Sequence, residues 1–296
     1  MQRNLLSLDG ADHDRLKVLV HEAFTPCRVE GMRDITQSVT DAALDRAQRL
    51  GLLDLVADFA RPVPLTIIGR ILGVPEQDDA TFNLGMKAFV AMGGSPNPPL
   101  LAFVGYLRKL IKTRRARSGD DLISALMQAQ DSPDHLTDDE IPAMVFLLLS
   151  AGHKTTVNLI GSGVLALLQH PEQLARLRAD SSLLKSGIEE LVRFVVPAET
   201  ATERHAAEDV TIAGTRIPKG ELVLAVIVSA NRDPTVFQDP DSLDVGRQNN
   251  KHLSFGQGLH YCLGAPLSRL EAQIAIGTLL RRAPNLRLAA PPSGLQ

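Results

Sequence analysis

Phe255-Gly256-Gln257-Gly258-Leu259-His260-Tyr261-Cys262-Leu263-Gly264 lies near the C-terminal end of a 296-residue chain and runs directly into an amphipathic pattern from Ala265 to Arg282. Gly256, Gly258 and Gly264 permit backbone angles and close approaches that a Cβ forbids, so a large flat ligand can lie against the loop. Pro266 suits an early helical position, where a missing N–H is tolerated. Beyond it Leu267, Leu270, Ile274, Ile276, Leu279 and Leu280 recur at helical spacing, with Arg269, Glu271 and Arg281 between them. The stretch reads as a glycine-loosened loop that delivers one thiol to the start of a helix. Unpaired N–H groups and the positive end of the helix dipole there favour the thiolate, the form that binds a metal. Taken alone, Cys262 would more readily be a small buried hydrophobe after a tight turn, the usual place of a free cysteine. Structural zinc fits poorly, because Cys27 and Cys262 are the only cysteines and no Cys/His set has the required spacing.

Composition sets the outer bounds. Apolar residues at 44% and charged residues at 22% are those of a globular chain long enough for a sizeable core, read here as one domain over residues 1–296. With 31 basic against 34 acidic residues the net charge is -3, which gives no footprint for nucleic acid. Two cysteines cannot make a disulfide scaffold, so a reducing compartment is the default. No uninterrupted apolar run reaches the roughly 20 residues of a membrane span, and Met1 to Gly10 has none of the layout of a leader peptide. The expectation is a cytoplasmic protein with no membrane partner.

Residues 11–196 read as helical. Ala11 to Phe24 has Leu16, Leu19, Val20 and Ala23 on one face and stops at Thr25-Pro26. Val29 to Leu50 repeats the period and stops at Gly51. Shorter helices fit Pro62 to Leu72 and Asp78 to Met92, and Gly93 to Pro99 is the strongest loop signal in the chain. A basic helix from Leu100 to Arg117 follows, with Arg114, Arg115 and Arg117 read as a solvated last turn, and Asp120 to Gln130 is a short amphipathic segment. Thr137-Asp138-Asp139-Glu140 is a capping box. It opens a long helix to Leu168, apolar on nearly every face and therefore central to the fold. Within it, Ala151-Gly152-His153-Lys154-Thr155-Thr156 combines small residues and hydroxyls that invite a local widening of the hydrogen-bond ladder. Leu183 to Val196 is a further helix in which Glu190 and Arg193, three residues apart, share a face. From Thr200 the period changes to two: Thr200 to His205, Val210 to Ala213 and Leu222 to Ile227 read as short strands, with turns at Gly214-Thr215 and Pro218-Lys219-Gly220. The small β region thus spans 200–230, and the cysteine loop with the last helix spans 250–283.

The loop from Phe255 to Gly264 resembles the haem-binding loop of the cytochromes P450, through Phe255, Gly256, Gly258, His260, Cys262, Leu263 and Gly264. The resemblance implies a mainly α fold with a small β region and a haem b whose iron is ligated by Cys262. Ala151-Gly152 resembles the family's alanine-glycine pair that lets oxygen fit over the iron, and Thr155 the threonine that steadies it and relays protons. Lys154 stands where the family usually has an acid; a charged lysine is a poor proton carrier near neutral pH. Glu190 and Arg193 match a buried pair behind the haem, whose second arginine would fall at Ser242, so that triad is expected to be incomplete. Arg204, His260 and His13 match positions that contact haem propionates, with Lys17 where the family has an arginine. Phe146, Leu147, Ser150, Ala151 and the loop Val196 to Thr200 would face substrate, under a lid from Gly93 to Pro99.

The resemblance runs from Ala11 to Leu288, with no counterpart for the family's N-terminal portion. An N-terminally truncated P450-like fold, with an unpaired sheet edge and an open pocket, is the expectation. The function implied is insertion of one oxygen atom from O2 into a small apolar organic substrate, with electrons from a separate ferredoxin-type donor. Two alternatives stand beside it: a haem protein whose activity is lost or driven by peroxide, and a scaffold without haem.

Overall fold

The computed structural model describes residues 4–21, 24–90, 98–128, 137 and 140–291. In chain order its helices are α1 (Gly10–His21), α2 (Pro26–Gly31), α3 (Arg33–Leu50), α4 (Pro62–Ile71), α5 (Asp79–Val90), α6 (Pro98–Ala116), α7 (Leu122–Gln128), α8 (Glu140–Gln169), α9 (Pro171–Ala179), α10 (Leu184–Val195), α11 (Ile227–Ala230) and α12 (Ala265–Arg282). Four short strands accompany them: β1 (Arg204–His205), β2 (Val210–Ile212), β3 (Thr215–Ile217) and β4 (Leu222–Val223). The mainly α architecture with a small β region is the one expected. Two compact units are distinguishable, one of Met1–Ile160 with Leu263–Arg282, the other of Gly161–Cys262 with Ala283–Gln296.

In the first unit the local punctuation works largely as read. Gly51 closes α3 in the left-handed region at φ 68°, its N–H bonded to Ala47 O. Thr137 and Glu140 form the reciprocal cap, Thr137 N–H donating to Glu140 Oε2 at 2.9 Å and Glu140 N–H to Thr137 Oγ1 at 3.2 Å. Arg15 of α1 adds an ion pair to the same Glu140 at 2.8 Å, tying α1 to the start of α8. Helix α8 has the length and apolarity of a membrane span, yet Ile141, Met144, Val145 and Leu149 on it are buried in the core with Leu16, Ile67, Leu107 and Leu126.

Three expectations are corrected. Val29 to Leu50 is not one helix: α2 begins at Pro26 behind the extended Thr25, and Met32 at φ -83°, ψ -5° separates it from α3. The ladder of α8 stays α-helical through Ala151–Thr156; the widened helix lies instead at Leu55–Ala60, a π-helical turn whose N–H groups are capped by Asp54 Oδ1. Arg114 is not a solvated end, because it pairs with the buried Asp121 at 2.7 Å and donates to Gly73 O at 2.6 Å. The expected lid falls at 91–97, outside the described residues, while Pro98 and Pro99 already belong to α6.

Helices α5 and α6 meet where Gly85 faces Phe103, which also packs edge-on against Phe82 with ring centroids 5.8 Å apart. Alanine at 85 would gain up to about 1 kcal/mol of helix propensity. Its Cβ, however, would lie 2.1 Å from Phe103 Cδ2, and overpacking of that kind costs about 1–3 kcal/mol. Gly85→Ala is therefore expected to lower the melting temperature, and an unchanged or higher value would show that α5 and α6 separate freely.

The second unit holds α9, α10 and the strands. Helix α9, absent from the sequence reading, starts with Pro171 at a first-turn position. β2 and β3 pair antiparallel, Val210 opposite Ile217, across the two-residue turn Ala213-Gly214, where both residues have positive φ (48° and 81°). β1 pairs antiparallel with β4, Arg204 opposite Val223, and an isolated bridge joins Thr200 to Val226. The strands are shorter than the alternating sequence suggests, and Ile227 opens α11 instead of closing a strand.

Candidate functional site

In the second unit, the cysteine loop is shaped by its glycines. Gly256 and Gly258 sit at φ 71° and 76°, a region in which a side chain is strained. Cβ atoms added there would meet only His260 O, at 3.6 Å from Gly256, and nothing within 4 Å of Gly258. Between Gly258 and His260 the chain makes one 3₁₀ turn, and Cys262 N–H then donates to Phe255 O at 2.8 Å, closing the loop. Cys262 is exposed, as are Leu253, Leu259 and Tyr261, the last two at 58% and 43%. An apolar, glycine-flattened face bearing a soft sulfur donor suits a flat hydrophobic macrocycle around a thiolate-binding metal, so the donor set fits haem. The reading of Cys262 as a small buried hydrophobe does not survive, because its side chain is not buried.

Behind the loop lies a buried charge cluster on α10. Glu190 and Arg193 are both fully buried and joined by two contacts of 2.8 Å. Arg193 also donates to the carbonyls of Asn231, Pro240 and Ser242, which pins the approach to the loop. The expected gap at Ser242 is corrected: Arg247 supplies the second guanidinium, its Nε 3.0 Å from each oxygen of Glu190, and Ser242 contributes only its backbone oxygen. Asn250 Nδ2 and Asp244 N–H complete the shell, each donating to Glu190 at 3.0 Å. Asn231 could be placed from the sequence only as part of a segment leading toward the cysteine loop, with no role of its own. It is wholly buried after α11, accepts from Leu253 N–H at 2.8 Å and donates to Ser254 Oγ at 2.7 Å, so it links the cluster to the residues just before Phe255. The segment that holds it, Ala230-Asn231-Arg232-Asp233-Pro234, resembles the loop-forming stretch that precedes the cysteine region in the P450s.

Arg204 is half-buried on β1 and its guanidinium donates to Glu203 O at 3.1 Å, so it is not drawn into the Glu190 cluster. His260 is half-buried at the end of the 3₁₀ turn. Within the first unit, Ala151, Gly152 and Lys154 are exposed on α8 and Thr155 is half-buried, its Oγ1 donating to Ala151 O at 2.8 Å. A Cβ on Gly152 would make only ordinary contact with Ile68 Cδ1 at 3.5 Å, so packing does not demand glycine there. One turn earlier Phe146 and Leu147 are half-buried and Ser150 is exposed; Phe146 packs against Phe89 of α5 with the rings tilted by 42° and centroids 5.8 Å apart. His13 is buried on α1 with Nδ1 3.2 Å from Asp14 Oδ1, and Lys17 lies one turn on, half-buried. On the buried side of α12, Thr156 Oγ1 donates to Ser268 Oγ at 3.2 Å, joining α8 to α12.

Comparison with known proteins bears on this geometry. The family described as Cytochrome P450 matches residues 102–283. The chain is 46% identical over 296 residues to Cytochrome P450 107B1 of Saccharopolyspora erythraea, covering 99% of this chain and 73% of that protein. It is 44% identical over 304 residues to Cytochrome P450 monooxygenase PikC of Streptomyces venezuelae, covering 100% of this chain and 72% of the relative. Among solved structures it is similar to the bacillaene polyketide synthase cytochrome P450 PksS of Bacillus subtilis, with a TM-score of 0.93, 40% identity, and coverage of 99% of this chain and 76% of that one.

Proposed function

Because the chain belongs to the cytochrome P450 family, whose members are oxidoreductases that bind haem b, we propose that Cys262 is its iron ligand and that it oxygenates an apolar small molecule. The overall change takes a substrate C–H, O2, two electrons and two protons to C–OH and water. Bound haem supplies a redox-active iron at which O2 is reduced. In this reading Cys262 Sγ would hold the haem iron, and the exposed thiol at the end of a glycine-turned loop is the observation that supports it. Arg204, His260, His13 and Lys17 offset the charge of the propionates. Ala151 and Gly152 leave room beside α8 for O2, and Thr155 holds a hydroxyl proton that can leave Ala151 O for the oxygen site. Lys154 donates hydrogen bonds but carries protons poorly while charged, so turnover is slow. Phe146 and Leu147 present the apolar wall against which substrate excludes water, with Ser150, residues 196–200 and the 93–97 loop around it.

A polyketide-type substrate is supported by the similarity to a cytochrome P450 described as belonging to the bacillaene polyketide synthase, and such an apolar molecule suits the Phe89–Phe146 wall. Electrons come from a separate redox partner, of ferredoxin type in this reading, and bacterial relatives with two exposed free cysteines here favour the cytoplasm.

The test is the absorption spectrum of dithionite-reduced protein under carbon monoxide. Wild type is expected to give the strongly red-shifted Soret band of thiolate-ligated haem, and Cys262→Ala to lose it. An unchanged band in the variant would exclude Cys262 as ligand, and a colourless wild type would favour the scaffold alternative.

A further inference from the structure

On its way into the cysteine loop the chain is tied repeatedly to α10. Asn250 Nδ2 donates to Glu190 at 3.0 Å, and Ser254 Oγ donates to Val192 O at 2.8 Å. Between these two ties lies His252, its side chain only 4% exposed. Its Nδ1 accepts from Ser254 N–H at 3.3 Å, and its Nε2 lies 3.2 Å from Glu189 Oε2. A backbone N–H can only donate, so Nδ1 presents a lone pair and the ring proton is on Nε2, directed at the carboxylate. The ring fixed in this way packs against Phe255, with centroids 5.7 Å apart and planes tilted by 56°. Phe255 is in turn the residue whose carbonyl takes Cys262 N–H, at 2.8 Å. Glu189, His252, Phe255 and Cys262 are therefore linked in series, all within the second unit. Glu190, the next residue on α10, is occupied by Arg193 and Arg247, so the two adjacent carboxylates serve different ends.

We propose that His252, oriented by Glu189, is a positioning residue for the Cys262 thiol. The role rests on the reading of Cys262 as iron ligand. Gly256 and Gly258 give the loop wide backbone freedom, and its tip is exposed at Leu259, Tyr261 and Cys262. One conformation must therefore be selected from the base of the loop, where His252 restrains the backbone at Ser254 and the ring of Phe255 together. The carboxylate on Nε2 keeps the tautomer that leaves Nδ1 free to accept, the arrangement by which an outer partner orients a ligand-bearing segment. His252 does this without touching the thiol.

Two measurements on the purified protein test this. Amide hydrogen exchange reads the loop whether or not haem is bound. His252→Phe keeps the bulk of the ring but has neither an acceptor for Ser254 N–H nor a donor for Glu189, and the N–H groups of Ser254 and Cys262 are expected to exchange about tenfold faster in it than in wild type. His252→Asn places an amide oxygen where Nδ1 stood and is expected to restore most of the protection at both. The second measurement follows the red-shifted Soret band of the dithionite-reduced, haem-loaded protein under carbon monoxide with time. His252→Phe is expected to lose the band several-fold faster than wild type, and His252→Asn to keep it nearly as long. Gly85→Ala, which lowers stability from the other unit, controls for a general weakening and is expected to keep the wild-type rate. Equal exchange at Cys262 in His252→Phe and wild type, no recovery of either readout in His252→Asn, or a loss in Gly85→Ala as fast as in His252→Phe overturns the proposal. A colourless wild type overturns the haem reading alone, and exchange at Cys262 then still decides whether His252 holds the loop.

Discussion

Glu190→Ala is expected to cost about 3–5 kcal/mol of stability, the range for breaking a buried ion pair by removing one partner. The reason lies in what stays behind. Arg193 and Arg247 both direct their guanidinium groups at the one carboxylate, Arg193 from a fully buried position and Arg247 with its side chain 10% exposed. Without Glu190 two positive charges would face each other out of water, together with the stranded donors Asp244 N–H and Asn250 Nδ2. Burial and the backbone carbonyls around Arg193 hold it in place, so it cannot escape to solvent. Glu190→Gln keeps the volume and one acceptor oxygen, and should fall between the two. Urea unfolding followed by far-ultraviolet circular dichroism measures the loss. A cost under about 1 kcal/mol, the worth of a solvent-exposed pair, would mean that water reaches the cluster.

The second large effect is a pH dependence set by Glu271. This residue is buried on α12, and burial alone pushes its carboxyl up to about 8. Unfolded, the same group titrates near its ordinary value of 4.5. Below that value both states hold the proton and nothing is lost. Between it and pH 8 the unfolded chain has released a proton that the folded one keeps, so stability falls as pH rises, by about 1.4 kcal/mol per unit. From the unfolded value to neutrality the loss is roughly 3 kcal/mol on that slope. His153 acts in the opposite sense: its folded pKa of about 4 lies below the unfolded 6.5, so stability rises with pH across that interval. The two slopes cancel where they overlap and leave a decline above pH 6.5. Glu271→Gln, neutral at every pH, is expected to flatten that decline and raise the melting temperature at pH 8. A variant with the same pH slope as wild type would show that the carboxylate is ionised inside the fold.

Much of this molecule is readable from residue pattern because its helices are punctuated by local chemistry. Thr137 and Glu140, Gly51, and Pro62 each act within one turn of themselves, and each does in the structure what its side chain suggests. The cysteine loop is equally local, since its shape is set by two glycines at positive φ. Features that depend on a partner elsewhere were not readable. The break at Met32 leaves the apolar period of its neighbours intact, and the π turn at Leu55–Ala60 differs from an α turn by a single residue per bond. Arg247 could not be told from its surroundings, because the chain reverses at Pro240 and Ser242 before returning to Glu190, and counting residues pointed to Ser242 instead. His153 sits in the polar insert of an otherwise apolar helix and Glu271 between the apolar positions of an amphipathic one, and only the packing shows that both are buried.

The wiring of Glu190 also bears on how the polypeptide matures. Its partners Asp244, Arg247 and Asn250 follow it by 54, 57 and 60 positions. A nascent chain emerging from the ribosome therefore displays this carboxylate, and Arg193 with it, well before the residues that complete their shell have been translated. Contacts of such separation close late, because the intervening segment must give up its freedom first. Until then α10 is incompletely buried, so the shell around Glu190 is among the last contacts the folding chain completes.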